Sequence, residues 1–474
     1  MLFNSIEFFI FLPIVFTLFW SIQSYSLRAG NCILLGASYL FYGWWDWRFL
    51  SLIAISSLAD FLIGQGIASI QTERTRRGLL FASLLVNLGI LGFFKYFNFF
   101  IDSLVSLHPY IEEQIGYNTL NVILPVGISF YTFQTLSYTI DVYRGKISAC
   151  KDPLAFFTFV AFFPQLVAGP IERASHLLPQ FHKKSKFDID WAFSGIQLII
   201  WGFFKKVVIA DNCAVLVDPI FTDYASQSSI SLVLGAILFG IQIYCDFSGY
   251  SDIAIGTARL LGFDLMTNFR FPYLSSNIAE FWRRWHISLS TWFRDYVYIP
   301  LGGSRGSRLK ITQNVIIVFM VSGLWHGANW TFVFWGLIHA ILFLPLILLG
   351  SNKNNGSQNR VIIRILKSLG TFSVVCLAWI FFRAESLPVA VEYIQFIFSN
   401  TENSTIYFLD KKRLMVVFLI ICLCTGLLLA FEINAESKGK TSVMPNKWIL
   451  SLIALSIPFL GAFKNHANFI YFQF

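Results

Sequence analysis

The sequence predicts an all-α integral membrane protein that crosses the bilayer many times. Hydrophobic residues make up 56% of the 474 and charged residues 13%, whereas a soluble domain carries about 25% charged residues. The mean hydropathy is +0.64. Apolar runs of span length recur along the chain, and about 20 residues suffice to cross roughly 30 Å of hydrocarbon as a helix. No hydrophilic stretch is long enough for a separate soluble domain. The expectation is one transmembrane domain over 1–474, with N-terminal helices in 1–150, a polar-studded core in 151–350 and C-terminal helices in 351–474.

In order, the apolar runs lie near 6–23, 30–45, 48–68, 79–101, 118–140, 152–169, 190–218, 230–262, 311–325, 328–350, 368–383, 414–431 and 447–463. The first run, Phe8 to Trp20, follows Glu7 rather than a basic residue and has no small-residue cleavage site. It reads as a retained span, not a signal peptide. Basic clusters at Arg74, Arg76 and Arg77, at Lys183, Lys184 and Lys186, at Arg305, Arg308 and Lys310, and at Lys353, Arg360, Arg364 and Lys367 are expected to face the cytoplasm. The acid-rich stretch around Asp102, Glu112 and Glu113 is expected outside. Lys411, Lys412 and Arg413 resist this alternation unless 387–398 is an interfacial helix.

The formal charge of +9 is accounted for by those loops and does not call for nucleic acid. Seven cysteines are scattered, mostly in apolar runs, without a CxxC or Cys/His spacing. Neither a disulfide framework nor a metal site is expected.

Two segments break the hydropathy pattern. Phe162–Arg173, FFPQLVAGPIER, places two prolines and a glycine at membrane depth. Irregular backbone there must be buried in protein or line a cavity. Residues 280–301, EFWRRWHISLSTWFRDYVYIPL, are too charged to span and read as an amphipathic or re-entrant helix at the cytoplasmic interface, with Phe281, Trp285, Ser288 and Trp292 on one face.

The chemistry-bearing candidates cluster around two histidines. In VSGLWHGANWTFVFWG (321–336), His326 sits between two apolar runs, flanked by Gly323, Gly327 and Ala328. An ionisable residue at that depth is a functional hypothesis, and small neighbours leave room for a donor chain to approach. A neutral imidazole there can take a proton from an alcohol or phenol; the competing reading is a histidine bonded between helices, which also suits His339. His286 is suited to orient His326, bind a carbonyl or share protons, or simply to sit at an interface. Arg283 and Arg284 suit donor phosphates or lipid headgroups equally. The blocks 244–256, with Asp246, Ser248, Ser251 and Asp252, and 124–145, with Gln134, Ser137 and Asp141, read as interior helices lining a polar path or joined by hydrogen bonds. The final FIYFQF, 469–474, reads as an aromatic anchor or as a carrier of an acyl acceptor, Tyr471.

FWRRWHISLSTWFRDYVYIPLGGSRGS (281–307) followed by VSGLWHGANW (321–330) resembles the membrane-bound O-acyltransferase family, and most closely its bacterial alginate and peptidoglycan O-acetyltransferase branch. MLFNSIEFFIFLPIVF, LPVGISFYTFQTLSYTIDVYRG, FFPQLVAGPIER and IYCDFSGYSDIAIG carry the same resemblance, so that it covers most of the chain. It implies a central funnel of about eleven transmembrane helices with re-entrant or interfacial helices. The family's invariant histidine corresponds to His326 and its second polar position to His286.

The resemblance also implies acetyl-CoA as donor, with no tightly bound cofactor and no metal. Arg283, Arg284, Trp325, the Asn329–Trp330 pair, Asp246, Ser248 and Arg294 form the implied donor- and substrate-contacting set. In the teichoic acid D-alanyl branch a small partner peptide ends in a tail similar to FIYFQF, which implies that Tyr471 shuttles the acyl group here. The implied setting is the bacterial cytoplasmic membrane. An extracytoplasmic transferase is the implied partner, consistent with the missing GxSxG motif. Two other readings remain: a D-alanyl or longer-chain acyltransferase of the same fold, and a polysaccharide or lipid-linked sugar exporter.

Overall fold

A computed structural model describes residues 1–107, 120, 123–167, 169–349, 361–400, 405–409, 411–463 and 469–470. Tyr471, Glu112, Glu113, Lys353 and Arg360 lie outside the described residues. Among the described residues every regular element is helical. Of the described helical stretches, eight are long and apolar enough to cross a membrane: Ile6–Gln23, Leu27–Ser69, Glu73–Leu107, Ile189–Thr222, Ser229–Leu260, Trp330–Leu348, Val361–Arg383 and Lys412–Ser437. Shorter apolar helices include Leu387–Ser399 and Lys447–Leu460. The chain forms a polytopic helical membrane protein. It divides into two compact units, residues 1–196 with 254–266, and residues 197–253 with 267–474.

The first unit contains α1 (Ile6–Gln23), α2 (Leu27–Asp46), α3 (Leu50–Ser69), α4 (Glu73–Leu91), α5 (Phe97–Leu107), α6 (Ile128–Tyr143) and α7 (Pro153–Ala161). Ser5 caps α1 by accepting from the Phe8 amide, and Asp152 caps α7 through Leu154. Gly127 opens α6 at φ +76°, where a Cβ would also press on the Leu166 carbonyl oxygen. Buried polar groups join the helices. Asp60 of α3 accepts from Ser83, from Asn87 at 2.7 Å and from Thr139 at 2.9 Å. Gln134 donates to the Phe159 carbonyl and Thr135 to Asn87. Interhelical bonding thus accounts for much of the polar face of α6.

The stretch after α7 is irregular and buried, as its prolines require. Phe162 leaves the helix, Phe163–Leu166 makes one turn, and Phe162, Phe163 and Glu172 are fully enclosed. Glu172 accepts from the Met266 amide at 2.5 Å and pairs with His176 at 2.9 Å, while the other nitrogen of His176 lies 3.5 Å from Asp264. This carboxylate therefore ties the loop before α8 to the loop at 261–266. Burial pushes the Glu172 carboxyl up, and Asp264 and Glu172 together raise His176 to about 10.

The second unit takes in the C-terminal part of α8 (Ile189–Phe203), then α9 (Asp211–Thr222), most of α10 (Ser229–Leu260), α11 (Ile278–Arg284), α12 (Ile287–Phe293), α13 (Arg308–His326), α14 (Trp330–Leu348), α15 (Val361–Arg383), α16 (Leu387–Ser399), α17 (Lys412–Ser437) and α18 (Lys447–Leu460). A π-helical segment, Phe204–Ala210, separates α8 from α9. Trp201, Trp285, Trp335 and Trp379 are fully buried in its aromatic core, with Trp335 stacked on Trp379 at 5.3 Å.

One expectation is corrected. The amphipathic or re-entrant segment 280–301 does not begin as one continuous helix but as two short helices, α11 and α12, joined by a buried break at Trp285 and His286. His286 adopts φ 43°, a left-handed conformation uncommon outside glycine. The break survives because a second segment takes up the released backbone groups: Arg270 N donates to Arg284 O, and Ile287 N to Asn268 O, both at 2.9 Å. Leu387–Ser399, at 13 residues, is a separate short helix.

The His176 pairing yields a pH-dependent prediction. A histidine whose pKa rises on folding contributes stability that is fully present below its unfolded value of about 6.5 and lost as pH rises through about 10. In detergent melts, wild type should exceed His176→Ala at pH 6, and the gap should close above pH 10. A gap that widens with pH would contradict this assignment.

Candidate active site

His326 is the last residue of α13, and the helix stops at extended Gly327. Its ring lies 5.0 Å from Trp325, 5.2 Å edge-on to Trp335, 5.5 Å from Phe382 and 6.3 Å from the ring of His286. Both histidines are buried. The two histidine blocks, forty residues apart in sequence, therefore meet inside one unit.

The neighbouring glycines serve a different purpose from the one expected. A Cβ on Gly323 would collide with the Phe332 carbonyl oxygen, and one on Gly327 with the Phe332 ring. Likewise, a Cβ on Gly336 would strike the Phe319 carbonyl oxygen. These glycines let α13 and α14 touch backbone to backbone, and that contact fixes His326 at the mouth of the hairpin. The room they create is filled by Phe332 rather than left for a donor chain.

His286 is oriented by Asn268. The side-chain oxygen of Asn268 receives the Ser288 amide at 3.4 Å and the Ser288 hydroxyl at 2.9 Å, while its nitrogen donates to Ser251 Oγ at 3.1 Å. With the amide oxygen so assigned, the 3.0 Å contact to His286 Nδ1 requires Nδ1 to be the donor. Nε2 is then the acceptor nitrogen. Burial pushes the imidazole down to about 3, so it is neutral at physiological pH. His339 has the opposite arrangement, since its Nδ1 accepts from Trp282 at 3.3 Å. That bond joins α11 to α14 and gives His339 a structural task.

The polar block on α10 is neutralised by two adjacent lysines. Lys205 reaches Asp252 at 2.7 Å and Ser248 at 2.9 Å. Lys206 reaches Asp211 at 2.7 Å and Asp246 at 2.8 Å. Asp246 uses its other oxygen to accept the Ile470 amide at 2.8 Å. Phe469 is buried against Tyr250 at 4.4 Å and Phe247 at 5.7 Å, and Phe247 meets the His286 ring at 4.6 Å. The start of FIYFQF is thus packed in protein near the histidine pair rather than laid out as an exposed anchor.

The other sequence candidates are dispersed. Arg284 pairs with Glu280 at 2.5 Å and with Glu436 at 2.7 Å, and Arg364 shares Glu436. Arg283 is exposed, and Arg294 pairs with its neighbour Asp295. Asn329 caps α14 through the Thr331 amide and donates to the Glu385 carbonyl, while Trp330 is exposed. Trp325 lies against both histidines, at 5.0 Å from His326 and 5.9 Å from His286. Lys205, Lys206, Asp211 and Asn268 were not singled out from sequence. Two lysines inside the apolar run WGFFKKVVIA were a readable signal, whereas Asn268 lies in an ordinary-looking loop.

A buried histidine at a helix end thus lies beside a second histidine of fixed tautomer in a polytopic helical protein. The chain belongs to the membrane-bound O-acyltransferase family: that family's model matches residues 148–351, and a relative aligns along the whole sequence. It is an O-acyltransferase, and the exporter reading falls with that membership. A probable alginate O-acetylase of Pseudomonas putida is 40% identical over 508 aligned residues, covering 100% of both chains. A peptidoglycan O-acetyltransferase of Helicobacter pylori is 36% identical over 428, covering 83% of this chain and 79% of its own. A teichoic acid D-alanyltransferase of Streptococcus thermophilus is 30% identical over 260, covering 51% and 62%.

Asn268→Ala should strand the Nδ1–H of His286 and the Ser288 hydroxyl, which lose their shared acceptor. An unsatisfied buried donor costs about 1–3 kcal/mol, so the variant should melt earlier in detergent by a corresponding amount. Unchanged melting would show that Asn268 does not hold the break.

Proposed function

We propose that this enzyme takes acetyl from cytoplasmic acetyl-CoA and delivers it across the bacterial inner membrane for O-acetylation of an extracytoplasmic polysaccharide. In this reading Tyr471 carries the acetyl group, and a separate extracytoplasmic transferase completes the delivery. The acetyl and polysaccharide assignments follow the alginate and peptidoglycan relatives, which match over most or all of their length. The observation that carries the tyrosine relay is the burial of Phe469 and Ile470, the two residues before Tyr471, against Phe247 and Asp246.

The chemistry is acyl transfer by general base catalysis. His326 takes the phenolic proton of Tyr471 as the oxygen attacks the thioester carbonyl carbon. The new C–O bond forms, the C–S bond breaks, and the thiolate leaves with the proton held on the imidazolium. The C-terminal end of α13 favours positive charge on that ring. His286, neutral and with Nε2 as acceptor, is placed to position His326 or the incoming group. The phenyl ester then yields its acetyl group to a sugar hydroxyl through the partner, and CoA never crosses the membrane.

His326→Ala should lower acetyl transfer by about 10²–10⁴-fold, the range for loss of a general base, with the protein still folded in membranes. Wild-type-like transfer would sink the assignment. Tyr471→Phe removes one oxygen and keeps the ring. After incubation with acetyl-CoA, mass spectrometry of the wild-type C-terminal peptide should show one acetyl group that is missing in both Tyr471→Phe and His326→Ala. Full glycan acetylation by Tyr471→Phe would mean that the acetyl group leaves by another route. Competition between acetyl and D-alanyl or longer acyl donors separates this reading from the other acyl-transfer chemistries.

A further inference from the structure

The tail is held at two points, and the second uses buried charge. At its root, the Asn212 side chain donates to the Leu460 carbonyl at 2.8 Å, and the Ala462 amide donates to the Val207 carbonyl at 3.2 Å. Val207 belongs to the π-helical segment Phe204–Ala210, whose widened turn changes the ordinary helical bonding of its carbonyls. The same segment carries Lys206, which is almost wholly buried beside Asp211 and Asp246. At the second point, eight residues further on, Asp246 accepts the Ile470 amide. Phe469 packs on Tyr250, over whose ring the Lys206 ammonium sits at 5.5 Å.

Two carboxylates share one ammonium here, which leaves Asp246 with an oxygen to spend on a backbone N–H. Buried ion pairs cost desolvation and add little stability, and a well-attested use of buried polar groups is to fix register. A purely apolar pocket would retain Phe469 without fixing its register. A carboxylate bonded to one amide does fix it, since sliding the tail by one residue breaks the bond.

We propose that the Lys206–Asp246 ion pair is a register-setting dock for the FIYFQF tail, and that it positions residue 471 by holding the amide of residue 470. Lys206 and Asp246 are positioning residues that act through the tail. The part concerning acyl delivery rests on the Tyr471 relay, whereas the dock itself does not.

The test removes the donor and leaves the charges in place. Ile470→Ala keeps the N–H and trims the side chain; Ile470→Pro trims it to a similar extent and deletes the N–H. Hydrogen exchange of the full-length protein in detergent, read on tail amides other than residue 470, should be about 10- to 100-fold faster in the proline variant than in the alanine variant, as expected for loss of a charge-assisted bond. Exchange in α13 and α14 should be the same in both. In the same pair, kcat for acetyl transfer should fall with proline while KM for acetyl-CoA stays constant. Equal tail exchange in the two variants overturns the dock. Faster exchange in the proline variant, with no acetyl ever detected on the wild-type tail, supports the dock and overturns the relay.

Discussion

Backbone amides and carbonyls buried away from water must be bonded, and in a chain this apolar a regular helix is the default way to do it. At two places where the second unit departs from that default, a specific substitute partner is present. At Trp285 and His286 the helix opens, and Asn268 and Arg270 supply the missing bonds. At Phe204–Ala210 the turn widens, and the Val207 carbonyl receives Ala462. These two irregularities place His286 beside His326 and Lys206 beside Asp246. The polar centre of the unit therefore follows from how its backbone bonds are satisfied.

The same constraint governs charge. An imidazolium surrounded by Phe247, Phe269 and Trp325 would be poorly solvated, so His286 remains neutral and is fixed in one tautomer by Asn268. His326 stands at the C-terminal end of α13, where helix carbonyls favour a positive ring. The two rings, 6.3 Å apart, are therefore suited to unequal roles. In the function proposed above, His326 gains a proton transiently and His286 serves as a hydrogen-bonding fixture.

Features that depend on composition or on a single unusual residue were legible in the sequence. The helical membrane class followed from hydropathy, and the buried irregular loop at 162–173 from its prolines. His326 stood out because an ionisable group interrupts two apolar runs. Features that depend on pairing between distant segments were not legible. The periodicity of 280–293 supports one helix, and nothing local reveals that Asn268–Arg270 will open it. Gly323 and Gly327 looked like space for a ligand because sequence does not show that Phe332 folds back into that space. Arg284 looked equally suited to donor phosphates and lipid headgroups; its partner Glu280 lies one turn away, but Glu436, its second partner on α17, is 152 positions away.

The tail shows why the distinction matters for function. In sequence, FIYFQF is an aromatic segment equally suited to a bilayer interface and to a protein pocket. Aromatic burial alone would be satisfied by either. What separates them is the amide of Ile470, which in an interface would bond to water or headgroups and here meets a carboxylate already paired with a buried lysine. A hydrophobic anchor needs no buried charge, and three charged side chains are costly to enclose. Their arrangement around one backbone N–H is the pattern expected of a segment whose register, and not merely its attachment, is under constraint. An acyl acceptor that must meet a base within hydrogen-bond reach imposes such a constraint, whereas a membrane anchor does not.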